Sequence, residues 1–265
     1  MFIRTSVMGC AQSNIPKQTF INKKLKPLES MKGSEGSTFF IDNKHRLWKK
    51  RVETTAISSS CIEIRNLRIM MLPPSDYLLA PMKITRTGPK STYTCMVLAG
   101  KDLFDYMNTP FDWKLMQIHL KHIRSAIHFL HNHNIAHRDI KPENVVFHRG
   151  TPKLIDFDYS THLEVFRYCG TENYIVDELV VSNWRCSEAT KSKRMDVYAF
   201  GKLVFSIFLS ATQFKFIRHK SFVLHAFFNE RFLPNPYKDE WGLWANIALE
   251  CCRNKPPEQI PFMYI

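Results

Sequence analysis

Residues 1–25 show little periodicity, are rich in polar positions and are broken by Pro16, a pattern that predicts a flexible tail. From Leu28 onward, short apolar segments separated by turn residues predict strands. Ile41-Asp42-Asn43-Lys44 reads as a turn into a strand over Arg46–Val52, and further strands are expected over 77–84 and 93–98. Between them, Leu67 and Met70 follow Glu63 at helical spacing, which predicts a helix over 61–70 that Pro73-Pro74 ends. Beyond Gly100 the pattern becomes helical. Residues 112–131 carry Leu115, Ile118, Ile123, Ile127 and Leu130 near one stripe, as a helix packed on a core requires. The longest apolar run, Leu203 to Leu209, is far too short to span a bilayer and is expected as core.

Two polar stretches do not fit a packing pattern. The first is His137-Arg138-Asp139-Ile140-Lys141-Pro142-Glu143-Asn144, and the second is Lys153-Leu154-Ile155-Asp156-Phe157-Asp158. An acid, a lysine two residues on, an asparagine three further and a second acid after a short apolar strand make a metal-and-phosphate site. The first stretch resembles the catalytic loop of eukaryotic-type protein kinases at every defined position. The second resembles that family's metal-binding Asp-Phe-Gly segment at all but the last.

The resemblance implies an α+β, bilobal fold: a small β-rich lobe with one helix over residues 26–99 and a larger, mostly helical lobe over residues 100–265. It implies an enzyme that transfers the γ-phosphate of ATP, with Mg²⁺, to a protein serine or threonine. Phosphoryl transfer needs two anionic reactants held in line and their spreading charge neutralised. Asp139 would accept the hydroxyl proton, Lys141 would contact the moving phosphate, and Asn144 and Asp156 would supply hard oxygen ligands to the metal. Thr171, in Cys169-Gly170-Thr171-Glu172, is expected to bond Asp139 and Lys141. Val97, Leu98 and Ala99, after the gatekeeper Met96, would hold adenine. Gly33 and Gly36 sit where a glycine-rich loop should cover the phosphates, a partial match since Met31 takes the place of the first glycine.

Strand alternation selects the lysine for the α- and β-phosphates. Side chains two apart share a face, so Leu47 and Lys49 point inward together; Lys50 is the alternative. Glu63 would then pair with Lys49 as the family's helix glutamate does. Asp196-Val197-Tyr198-Ala199-Phe200-Gly201 resembles the start of the family's buried central helix, whose aspartate fixes the catalytic-loop backbone. Three departures stand out: the thinned glycine loop, Asp158 in place of glycine, and Gln259 where an arginine should pair with Glu178. They keep open an alternative, a pseudokinase that binds nucleotide or a partner. Arg167 stands where relatives carry an activating phosphothreonine, so activation there is not expected, while Ser160, Thr161 and Tyr168 remain available acceptors. The chain resembles the compact kinases that large DNA viruses encode.

Composition adds bounds. Hydrophobic content of 45% in 265 residues suffices for a sizeable core. The net charge of +13 reads first as a diffuse, solvated excess, since no block of consecutive basic residues appears, with acidic protein substrates as the alternative; without aromatic-and-basic interleaving no nucleic-acid partner is favoured. Seven scattered cysteines without a C-x-x-C pair suit reduced thiols in a cytoplasmic or nuclear protein. His119, His122, His128, His131 and His133 lack cysteine partners at zinc spacing and are not read as a metal site. Met8-Gly9-Cys10 would become a lipidation sequence only if translation began at Met8.

Overall fold

A computed structural model of the chain describes residues 25–29, 36–54, 58–87, 90–211 and 238–252. Residues 1–24 of the expected tail, Met31, Gly33 and Gln259 lie outside the described residues. β1 (Lys26–Pro27), β2 (Ser37–Ile41), β3 (Arg46–Val52), β4 (Lys83–Arg86) and β5 (Ser91–Val97) form one antiparallel sheet in the order β1-β2-β3-β5-β4. Asp42 closes the β2–β3 turn: one carboxylate oxygen accepts from the Lys44 and Arg46 amides, the other from Arg46 Nε and Trp48 Nε1. That turn fixes the register, which sets Lys49 opposite Phe39 on one side and Thr94 on the other, and Leu47 opposite Met96.

The strand expected over 77–84 starts later, at Lys83. Tyr77 to Leu79 instead bond to Leu154: the Leu154 amide donates to the Tyr77 carbonyl and the Leu79 amide to the Leu154 carbonyl. Their backbone groups are engaged there and cannot extend the sheet. α1 (Ser59–Met70) opens at Ser58, whose hydroxyl accepts from the Cys61 amide, and it buries Ser59, Ile62, Asn66 and Ile69. Ile64 and Leu67 face outward.

The rest of the chain is mostly helical: α2 (Leu103–Met107), α3 (Trp113–Asn132), α4 (Glu178–Ser182), α5 (Glu188–Ala211) and α6 (Lys238–Cys252). Two small antiparallel pairs interrupt it, β6 (Ile135–Ala136) with β9 (Thr161–His162) and β7 (Val145–His148) with β8 (Thr151–Leu154). The buried stripe of α3 is Met116, Leu120, Ile123, Ile127 and Leu130; Leu115 and Ile118, expected on it, are 41% and 52% exposed. One position of rotation separates the two stripes, and the packing of Leu203, Val204, Ile207 and Phe208 from α5 selects the inner one. Each such side chain contributes roughly 1.5–3 kcal/mol on burial, so this core is a firm base for the loop over 137–144 that crosses above it. The fold is α+β, a sheet lobe joined to a helical lobe. Among the described residues no helix is long and apolar enough to cross a membrane.

Candidate active site

The loop over 137–144 is held from below by Asp196 of α5. Its buried carboxylate accepts from the His137 amide at 2.8 Å and the Arg138 amide at 2.7 Å, and its Oδ2 lies 2.9 Å from His131 Nε2. Burial alone would raise the Asp196 carboxyl, but the His131 contact, the charge of the nearby His137 ring and the Arg138 amide outweigh it and hold it below the ordinary value. His131, set aside in the sequence as a metal ligand, thus belongs to the support of this loop. Arg138 has φ of 68° and Asp156 φ of 64°, left-handed backbone that non-glycine residues adopt only where their surroundings hold them.

Above this support the polar side chains converge. Asp139 accepts from Asn144 Nδ2 at 2.9 Å and from the Thr171 hydroxyl at 2.7 Å. Lys141 Nζ lies 3.1 Å from Asp139 Oδ2 and donates to Thr171 Oγ1 at 2.7 Å. Asn144 also donates to the Asp139 carbonyl, so its amide nitrogen is committed to the loop and its oxygen is the atom left for a ligand. These four residues are therefore one connected network in which the Asp139 carboxylate is aimed by donors on two elements.

Lys49 is buried, 5% exposed, and lies in the cleft, whereas the Lys50 amine stands 5.8 Å from the Tyr93 ring centroid. Lys49 Nζ donates to Asp156 Oδ2 at 2.6 Å and to Asp158 Oδ2 at 2.8 Å. The expected pair with Glu63 is not formed, and no ion pair involves Glu63 among the described residues. The reason lies in α1, which turns Asn66 rather than Glu63 inward: Asn66 Nδ2 donates to Asp158 Oδ1 at 3.0 Å. Asp158 is itself 3% exposed and points inward at Lys49. Burial alone would push the Lys49 amine down, but the two carboxylates outweigh it and push it up. Conversely, burial would raise the Asp156 carboxyl, and Lys49 more than offsets this and holds it well below the usual range.

A cleft of about 510 Å³ joins these groups to the sheet. Phe39, Leu47 and Leu79 line it on one side, Met96, Val97, Leu98, Ala99 and Gly100 along the strand exit, and Lys49, Asp139, Asn144, Asp156 and Thr171 at its floor. The size suits a nucleotide, with an apolar wall for a base and a polar floor for phosphates. Gly36, with φ of 77°, precedes β2 but is not among the lining residues. Asp156 Oδ1 is buried and has no hydrogen-bond partner among the described residues, and the Asn144 side-chain oxygen is the neighbouring hard donor. Among the described residues no group of three or more His, Cys, Asp or Glu could hold a metal ion, so a cation here would draw its remaining ligands from phosphate and water.

The segment after Phe157 folds against the loop. Arg138 donates from Nε to the Tyr159 carbonyl and from Nη1 to the Arg167 carbonyl, so its guanidinium is engaged by backbone. Ser160 and Thr161 are buried, 2% and 8% exposed, and the Tyr168 hydroxyl donates to the Val176 carbonyl, so of the expected acceptors only Tyr168 has access to solvent. Glu178 is exposed, so the lack of an arginine at position 259 leaves no buried charge there. Asn66, Arg65 and Asp158 were not legible as partners. A signal existed in Ile62-x-x-x-Asn66-x-x-Ile69, an amide inside an isoleucine stripe.

The comparisons agree with this geometry. Residues 42–254 match the family described as Protein kinase domain. The chain is 31% identical over 120 residues to the phosphorylase b kinase gamma catalytic chain, liver/testis isoform, of Bos taurus, covering 43% of this chain and 30% of that protein. It is 38% identical over 109 residues to human cyclin-dependent kinase-like 2, 39% of this chain and 21% of the relative. To the Drosophila melanogaster cGMP-dependent protein kinase, isozyme 2 forms cD5/T2, it is 26% identical over 194 residues, 68% of this chain and 20% of the relative. The matched segments thus span less than a third of these curated relatives' lengths. With a matched domain that covers most of the chain, an antiparallel sheet lobe over a helical lobe, and the Asp139–Asn144–Thr171 network in the cleft between them, this chain belongs to the protein kinase family.

Proposed function

We propose that the chain is an ATP-dependent protein kinase that acts on serine or threonine. The observation that carries this reading is the intact charge constellation on one cleft floor: Asp139 aimed by Asn144 and Thr171, Lys141 beside it, and Lys49 with Asp156 across from it. A pseudokinase would have no physical reason to keep all of these groups in contact.

Each residue then has a task. Asp139 Oδ1 and Oδ2 are fixed by donors, so the carboxylate can accept a proton from an acceptor hydroxyl without turning. Lys141 and Thr171 hold each other over that carboxylate and bring one positive charge to the point where phosphate oxygens gather during transfer. Lys49 brings a second positive charge from the sheet. Val97 and Ala99 offer backbone groups at the strand exit for the adenine edge, and Leu47 and Leu79 supply its apolar wall. Asp156, through its unpartnered Oδ1, and Asn144 are the residues that would hold a divalent cation, and Mg²⁺ is proposed on the strength of their hard oxygens. Such a cation would neutralise charge on the phosphates and fix their orientation.

The protein partner is proposed to be a serine or threonine substrate. The charge of +13 favours acidic proteins in the encounter, and the free thiols of Cys61, Cys95, Cys169, Cys186, Cys251 and Cys252 support a cytoplasmic or nuclear setting. The test is phosphoamino-acid analysis of casein and of the protein itself after incubation with labelled ATP and Mg²⁺, Mn²⁺ or EDTA. Label on serine or threonine that needs the metal supports the reading; label on tyrosine alone, or none with any metal, contradicts it.

A further inference from the structure

We propose that Asp158, steadied by α1 through Asn66 and Arg65, is the residue that positions Lys49 in this chain, the task that the family resemblance assigns to Glu63. The proposal deepens the kinase reading and rests on it for its catalytic consequence. Its structural content stands on the contacts alone.

Three bonds fix Asp158. Its Oδ2 accepts from Lys49 at 2.8 Å, its Oδ1 from Asn66 Nδ2 at 3.0 Å, and its carbonyl from Arg65 Nη1 at 2.6 Å. Asn66 is in turn fixed by donating to the Ile62 carbonyl at 2.9 Å, so the helix presents an amide already committed to one orientation. The Asp158 side chain is 4% exposed and that of Lys49 6%, whereas the Asp156 side chain is 25% exposed and opens onto the cleft. The two carboxylates on Lys49 are therefore not equivalent. Asp156 keeps one oxygen free for a ligand; both oxygens of Asp158 are used inside the protein. A lysine whose only counter-ion was Asp156 would compete with any cation for that carboxylate. Asp158 removes the competition by giving the amine a second, enclosed partner.

The position of Asp158 also explains the departure from glycine. In a loop that follows the metal-binding aspartate, a side chain pointing outward would only stiffen the backbone. Here it points inward and supplies a carboxylate within reach of β3, while Glu63 on the neighbouring turn of α1 makes no ion pair among the described residues. The link between α1 and the cleft floor is thus moved from helix to loop, with α1 acting through a neutral amide and a guanidinium.

The experiment measures Lys49 without nucleotide and then with it. In the nucleotide-free protein, the rate of Lys49 acylation by an amine-selective reagent at pH 8 is followed by peptide mass spectrometry. Asp158→Asn should raise that rate by roughly tenfold, because the enclosed amine loses one of the two charge-assisted bonds that keep it from the reagent. Glu63→Gln should label Lys49 at the wild-type rate. Asn66→Ala, which keeps both charges and only frees Asp158, should give an intermediate increase and serves if Asp158→Asn does not fold. Asp158→Gly combined with Asn66→Glu should restore slow labelling by returning the carboxylate to α1. With Mg·ATP, Asp158→Asn should raise KM for ATP by about tenfold more than it lowers kcat, because it loosens a phosphate contact without touching Asp139. Faster labelling in Glu63→Gln, or wild-type labelling in both Asp158→Asn and Asn66→Ala, overturns the proposal. Absence of transfer by the wild type counts against the kinase reading alone, since the labelling comparison still decides which residue holds Lys49.

Discussion

Gly170 adopts φ of 135°, and a Cβ built on it would stand 2.5 Å from Ile175 Cγ2 and 2.8 Å from the Arg138 carbonyl oxygen. Backbone cannot yield as a side-chain tip does, so Gly170→Ala is expected to cost about 2–4 kcal/mol and to displace Thr171 from Asp139. Thermal unfolding together with kcat checks this: both should fall, and a wild-type kcat would mean that Thr171 holds its place by other contacts. Lys49 gives a second prediction. A raised lysine contributes stability below its unfolded value and loses it only at strongly basic pH; a depressed Asp156 contributes above its unfolded value and loses it as pH falls through the acid range. Wild-type stability from this pair should therefore be flat between about pH 5 and pH 9. Lys49→Met removes the cation and leaves Asp156 governed by burial, so the folded state then binds a proton more readily than the unfolded chain. That variant should lose about 3–5 kcal/mol at pH 7 and recover part of it on acidification to pH 5, in urea melts. Parallel pH profiles for the two proteins would contradict the account. At this scale the cleft floor was largely legible, because Asp139, Lys141, Asn144 and Asp156 sit in two short stretches whose spacing carries the chemistry. Asp158 and Asn66 were not, since their contact joins residues 92 apart and depends on which way a loop side chain points.

Among the elements, the least legible was α1. It carries Ile62 and Ile69 on one face and Ile64 and Leu67 on the other, so apolar spacing fits more than one inner face. Packing on β4 and β5 selects the face with Asn66. The same ambiguity shifted the α3 stripe from Leu115 and Ile118 to Met116 and Leu120. The α5–α6 contact is more demanding. Gly201 lies so close to α6 that a Cβ would meet Cys251 Cβ at 2.7 Å and the Ala248 carbonyl at 2.9 Å. Gly201→Ala should force the two helices apart and cost about 1–3 kcal/mol in urea denaturation, despite the higher helix propensity of alanine. A stabilised variant would show that the helices separate freely. Because Asp196 lies on α5, the displaced helix should also lower kcat; unchanged kcat would mean that the loop over 137–144 is held independently.

For the whole molecule, charge acts at two ranges. On the proposed reading, the net charge of +13 favours encounter with acidic proteins from a distance, an effect that salt screens beyond roughly 8–10 Å. The cleft itself is edged by Asp102, Asp105 and Glu143, acids that favour a basic side chain beside the acceptor hydroxyl. Peptides that differ only in flanking Arg or Glu separate the two. The Arg peptide should have the lower KM, while added salt should slow reaction with an acidic protein more than with either peptide; a lower KM for the Glu peptide would place specificity in the distant field. The two-lobed α+β fold was legible through the family resemblance, with strand patterns before Gly100 and helical ones after it in keeping, whereas the cleft between the lobes joins residues from Phe39 to Thr171 and follows only from the packed structure.

The central claim is that these residues form a working phosphoryl-transfer site. The most direct measurement is single-turnover transfer from labelled Mg·ATP to casein by wild type and Asp139→Asn, with ATP binding followed by calorimetry on the same samples. The account predicts that Asp139→Asn binds ATP within about threefold of wild type and loses transfer by roughly 10²-fold or more, the contribution of a positioned general base. Transfer that persists in Asp139→Asn, or a folded wild type that binds ATP and transfers nothing, would contradict it.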